Sequence, residues 1–197
     1  MKRRTTSILL ITLSTFIALS HAGAPTASAE TSRAGTSLVF SYDDESEARA
    51  AIEQAFDRLR AGDYAAVYDS LPTASQRRIS RARFVEGLSR TRGVFTLERL
   101  EVERVRVAGN LAVVDSTLYA TVNQPIQSEG KIVSRQYLVR EGGRWRVTTG
   151  DRSTVRPLLA ANPSFARQFP PTEPRVFLKR DGRWVGIETL VPRRKRQ

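Results

Sequence analysis

The chain has no cysteine in its 197 residues. It therefore has no disulfide, no thiolate metal site and no cysteine nucleophile. Histidine is almost as scarce. The one copy, His21, lies in an N-terminal segment that reads as removable. The rest of the chain lacks the general base of a Ser-His-Asp triad and the ligands of the usual His-bearing zinc sites. Lysine occurs only at positions 2, 131, 179 and 195, so arginine fills nearly every cationic position. That bias fits either composition or a need to grip carboxylates and phosphates bidentately. A phosphate-binding glycine loop, a metal-ligand cluster and a nucleophile elbow are all missing. These absences argue for neither a cofactor nor a metal.

What is present starts with a tripartite N-terminus. Lys2, Arg3 and Arg4 form a positive patch, Ser7 to Ser20 is apolar, and Ala27-Ser28-Ala29 is a small-x-small site. This is the pattern of a cleavable secretory signal over residues 1–29. The apolar stretch is shorter than the roughly 20 residues of a spanning helix. A periplasmic or extracellular location is expected. Hydrophobic residues make up 40% of the chain, enough for a packed core. The formal net charge is +12. Three of those positives lie in the signal-like segment and four in a terminal run, Arg193, Arg194, Lys195 and Arg196, leaving a mildly basic body.

Residues 30–44 read as a flexible lead-in with a brief apolar run, Leu38-Val39-Phe40. Asp44 and Glu47 have capping-box spacing. Ala48, Ile52, Ala55, Phe56 and Leu59 follow on one helical face, and Gly62 closes the helix. Asp63 is placed to cap a second helix, Tyr64 to Leu71, ended by Pro72. Thr73 and Gln76 form another capping pair. Ser80 caps a helix carrying Phe84, Val85 and Leu88.

The period then changes. Over Phe95 to Val107 the apolar pairs fall at 95/97, 100/102 and 105/107. The alternation slips twice, which predicts two bulges in one long, bent strand. Strands follow over Leu111 to Val122, Lys131 to Arg140 and Arg144 to Thr149. Helical fragments lie between Ser153 and Phe169, with Asn162-Pro163 as an N-cap and first helical residue. Arg175 to Leu190 reads as a hairpin about Asp181-Gly182. The phrase LVREGGRWRV (138–147) loosely recurs as FLKRDGRWVG (177–186). Helices first and an antiparallel meander second is the signature of an α+β fold. The helices are expected on one face of a curved sheet.

The order AGDYAAVYDSL, RRISRARFVEGL, EGGRWRVTTGD resembles the nuclear transport factor 2-like superfamily, in particular its small exported bacterial domains of unknown function. The resemblance covers 45–151, with 152–191 as a C-terminal extension and 192–197 as a basic tail. Its cues are Gly62-Asp63-Tyr64, Phe84, Gly109-Asn110 and Gly143-Arg144-Trp145. It implies a cone, a curved antiparallel sheet wrapped on helices, with an apolar pocket at the open end. It also makes a homodimer plausible. The superfamily includes isomerases, dehydratases, epoxide hydrolases and binding modules, so fold leaves function open.

Tyr68, Phe84, Phe95, Tyr119, Tyr137 and Trp145 are the candidates to line such a pocket, against the alternative of an ordinary packed core. A histidine-free catalytic arrangement would use Asp115 as base and Tyr119 as oxyanion donor, four apart on one strand face, with Arg99 on the preceding strand. Glu101 and Glu103 form a carboxylate pair, read either as acid/base groups or as a solvated sheet face. Arg77, Arg78, Arg81, Arg83, Arg90 and Arg92 crowd the last N-terminal helices. With the terminal basic run they suit an anionic surface. Nucleic-acid binding would need a denser stripe with stacking aromatics. The expected function is thus non-enzymatic: binding a small apolar ligand or an envelope protein. Catalysis by Asp115 and Tyr119, or a structural module with a filled cone, are the alternatives.

Overall fold

A computed structural model describes residues 42–124 and 127–187. The signal-like segment, Leu38-Val39-Phe40 and the terminal basic run lie outside the described residues.

Four helices come first: α1 (Tyr42–Ala61), α2 (Tyr64–Asp69), α3 (Thr73–Gln76) and α4 (Arg81–Ser89). Helix α1 starts two residues before the expected cap. Asp44 and Glu47 therefore lie inside its first turns, where both bind Arg140, each at 2.6 Å. Asp63 caps α2 by accepting from Ala66 N at 3.0 Å, and Ser80 caps α4 through Arg83 N, as the sequence predicts. Gly62 has a φ of +76°, and the bonds Gly62 N to Leu59 O and Asp63 N to Arg58 O close the end of α1. The Thr73–Gln76 pair is not a capping box. Pro72 holds the cap position, and Gln76 Nε2 turns back to the carbonyls of Tyr68 and Leu71 at 3.1 and 3.2 Å.

The sheet has six strands: β1 (Phe95–Ala108), β2 (Leu111–Val122), β3 (Ser128–Glu141), β4 (Arg144–Val147), β5 (Arg175–Arg180) and β6 (Arg183–Gly186). Their order is β1-β2-β3-β5-β6, all antiparallel, with β4 sharing the far edge of β3 with β5. Register shifts fall between Leu97 and Arg99 and between Val102 and Arg104, where the apolar alternation slips. Each extra residue restores the phase. Leu97, Leu100, Val102, Val105 and Val107 thus stay on one face while the 14-residue strand bends.

That first face packs on α1. Ala48 and Ile52 meet Val105, Val107, Ala112, Val114, Leu138, Trp145 and Val147. The second face is covered too, and by different helices. Beyond β4 lie α5 (Arg152–Ala161) and α6 (Pro163–Gln168). Val155, Leu159 and Phe165 from this pair bury Leu111, Val113 and Tyr137. The N-terminal helices thus lie on one face of the sheet as expected, and the helices of the C-terminal extension cover the other. Asp151 caps α5. Asn162 precedes Pro163 at the start of α6 but makes no capping bond, its Nδ2 donating instead to Leu158 O at 2.8 Å.

The two hairpins that share the Gly-Arg-Trp phrase are built alike. Each turn has two residues with positive φ, Gly142 and Gly143 in one, Asp181 and Gly182 in the other, the twist a two-residue hairpin needs. Each tryptophan has its cross-strand partner's cation over its ring, Arg140 at 5.5 Å from Trp145 and Lys179 at 5.9 Å from Trp184.

The fully buried Leu138 sits where α1, β2 and β4 meet. Leu138→Ala is expected to cost about 2–5 kcal/mol in guanidinium unfolding, and Leu97→Ala, at a half-exposed position, clearly less. Equal losses would contradict this placement of the core.

Candidate functional site

Strand alternation separates the six aromatic candidates. Trp145 is in the core against α1, whereas Tyr137 is buried on the opposite face against Phe165, ring centroids 6.2 Å apart. Tyr68 packs on Phe84 between α2 and α4 at 5.6 Å, and its hydroxyl donates to the carbonyls of Gln76 and Ile79. Phe95 begins β1 opposite Val122. Tyr119 meets Trp184 of the C-terminal hairpin edge-on at 6.2 Å. A single pocket lined by all six does not form, because residues of opposite parity cannot face one cavity.

The Asp115, Tyr119 and Arg99 constellation is also spent. Both Asp115 oxygens accept from Arg135, at 2.8 and 3.0 Å, and this hydrogen bond holds the Arg135 guanidinium above its ordinary range. With both oxygens engaged by Arg135, the carboxylate has no free oxygen to turn toward a substrate. Tyr119 donates to Glu101 at 3.0 Å, while Arg99 lies 3.6 Å over the Tyr119 ring and pairs with Glu101. Four residues of strand put Asp115 and Tyr119 about 13 Å apart. Glu103 accepts from Thr117 at 2.7 Å. The two glutamates serve cross-strand hydroxyls on the second face rather than one shared proton.

Arg135 has a further task. Its Nη1 donates to Pro170 O at 3.0 Å, and Tyr137 donates to Phe169 O at 3.1 Å. These bonds tie the end of α6 to the sheet. Burial pushes the Tyr137 phenol up, which keeps it a donor.

The helix arginines divide. Arg81 pairs with Asp69 and Arg90 with Glu86. Arg78 donates to the carbonyl of Ser153, joining the end of α3 to the start of α5.

That junction borders a cleft of about 290 Å³. Pro72, Ala74, Ser75 and Arg78 form one wall, Thr154, Pro157 and Leu158 of α5 the other, and Val139, Glu141 and Thr148 the floor. The walls are fixed. Glu141 Oε2 accepts from Thr73 N at 3.0 Å and Thr73 Oγ1 at 2.8 Å. Arg146 Nη1 donates to Asp69 O at 2.6 Å. Asp151 takes hydrogen bonds from Thr149, Ser153 and both donors of Thr154. None of Tyr68, Phe84, Phe95, Tyr119, Tyr137, Trp145, Asp115 and Arg99 lines this cleft.

Two lining residues stand out. Ser75 and Thr148 are each only 4% exposed, and neither hydroxyl has a hydrogen-bond partner among the described residues. An unpaired buried hydroxyl costs about 1–3 kcal/mol. Trp145 Nε1 and Arg146 Nε are also unpaired, but neither residue lines the cleft. Sequence offers no signal for Ser75 or Thr148, since their status depends on what packs above them.

No protein-family model matches the chain, and no curated protein matches it. Among solved structures, an LEH-like epoxide hydrolase of M. tuberculosis is similar over 60% of this chain and 96% of that one, with 18% identity and a TM-score of 0.36.

Burial raises the Asp151 carboxyl, but the surrounding hydrogen bonds outweigh it and leave the group below its ordinary 3.8. A depressed carboxyl stabilises the fold above its unfolded value, and that contribution is lost as pH falls through the folded value. Asp151→Asn should therefore be less stable than wild type at pH 5–7, with the gap closing as pH drops below 3.8. Denaturant titrations across that range check this, and a gap independent of pH would refute it.

Proposed function

We propose that this chain is an exported binding domain for a small, largely apolar ligand, held in the cleft between α3 and α5. The observation that carries this is the mostly apolar recess of about 290 Å³ between α3 and α5, with Arg78 in its wall. That size is at the lower end of ligand sites, which run roughly 300–1,000 Å³. The signal-like N-terminus supports export, and the basic terminal run would add attraction to anionic envelope surfaces.

Catalysis by Asp115 and Tyr119 is the weaker reading. It needs a free base beside an oxyanion donor, and both groups are committed to other partners on the face away from α1. No cluster of metal-ligating side chains occurs among the described residues. Fold likeness to an epoxide hydrolase does not transfer that enzyme's chemistry.

Native mass spectrometry of the chain purified from its host's envelope fraction tests the reading. A co-purifying small molecule is expected, lost on denaturation and absent from Leu158→Trp, whose indole fills the cleft. Asp115→Asn should keep it. A clean mass for the wild type, or full retention by Leu158→Trp, would count against the cleft as the site.

A further inference from the structure

The sheet carries a further apolar surface, on the side of α1 but beyond its main contacts. The cross-strand register lines up Leu97, Ala120, Gly130, Leu178 and Val185 in one row through β1, β2, β3, β5 and β6. Beside it runs a second row, Leu100, Leu118, Ile132 and Val176. Partners in register share a face, and Leu97 and Leu100 belong to the face that α1 covers further along β1. Helix α1 packs on β1, β2 and β4. Neither core includes Leu118, Ala120, Ile132, Val176, Leu178 or Val185, and all six are half-buried. Gly130 leaves no gap in its row, because Val122 and Leu178 lean into the place of its side chain: a Cβ there would stand 3.4 and 3.6 Å from them. An apolar face of this breadth marks a site of contact. We propose that residues 188–191 of this same chain, which lie outside the described residues, fold back onto Val176 and Ile132 and cover the two rows.

The place where the chain leaves the sheet carries the argument. Strand β6 runs antiparallel to β5, with Gly186 opposite Phe177. The next residue, Ile187, therefore comes level with Val176, at the outer end of the second row. There the chain has already left the strand, and Ile187 is helical. Ile187, Leu190 and Val191 have the i, i+3, i+4 spacing of one apolar helical face. One turn of helix carries Val191 about 6 Å from Ile187, and β5 lies one strand spacing, about 5 Å, inward from β6. That brings Leu190 and Val191 above Val176 and beside Ile132. A second copy would have to reach the same rows past a segment tethered beside them at high effective concentration. Pro192 cannot continue the turn. Arg193, Arg194, Lys195 and Arg196 are too costly to bury unpaired, so the basic run emerges from the β6 edge, held there rather than trailing freely.

The test is methyl NMR of the full chain as its host processes it. Methyl–methyl NOEs are expected from Leu190 and Val191 to Ile132 and Val176. A sample mixing labelled and unlabelled chains should show that they arise within one molecule. The double variant Leu190→Asp, Val191→Asp should lose them, shift the methyls of Leu118, Ile132 and Val176, and raise the binding of an apolar fluorescent dye several-fold. The methyls of Val113 and Leu159, on the other face, should stay where they are. The wild-type NOEs decide the matter even if the variant misfolds. NOEs found only between molecules would give the rows to a second copy and overturn the proposal. Absence of NOEs, or a folded variant with unchanged dye binding, would overturn it as well. Neither result bears on the cleft between α3 and α5.

Discussion

Four consecutive residues of β2, Leu111 to Val114, are buried, and a strand can bury consecutive residues only if both faces of its sheet are covered. The remainder of the architecture answers that requirement. On one side α1 lies against Ala112 and Val114; on the other α5 and α6 lie against Leu111 and Val113. A chain ending at β4 would leave Val113 and Tyr137 in water. The C-terminal extension is thus the missing half of the core.

Covering the second face also creates the recess. Helix α5 reaches its place over Tyr137 by leaving β4 through the Asp151 cap, and α3 is pinned beside it by Glu141 and by Arg78. Between these two supports the packing leaves space, lined in part by the buried Ser75 and Thr148. The same extension engages a residue that bears on the catalytic alternative. Arg135, which neutralises Asp115, is the residue that holds the Pro170 carbonyl. One guanidinium joins the end of α6 to the sheet and occupies both oxygens of Asp115.

Much of this was legible in the sequence wherever the signal is local. The slips after Leu97 and Val102 gave the bulges, because a strand has a period of two and each bulge adds one residue. Asp63 and Ser80 gave caps, and Asp181-Gly182 gave a turn, because each works within three residues. Thr73 and Gln76 misled because Pro72 already starts that turn and Gln76 has carbonyls closer to hand. The pairing of faces with helices was not legible: parity says which residues share a face, never which helix covers it. The aromatic candidates failed for that reason. Tyr137 and Trp145 look equivalent as buried rings and face opposite ways. Ser75 and Thr148 carry no pattern at all, since distant elements decide whether a hydroxyl is buried.

The central claim is that ligand binding resides where α5 meets α3, on the side the C-terminal extension built. Methyl and amide NMR of the isotopically labelled chain, with and without 1-octanol as a small apolar probe, locates a ligand directly. The account predicts shifts confined to Ala74, Ser75, Val139, Thr148 and Leu158. Shifts at Leu118, Ile132, Val176 and Leu178, on the sheet face that α1 shares, would instead place the ligand at the open end of the cone and contradict it.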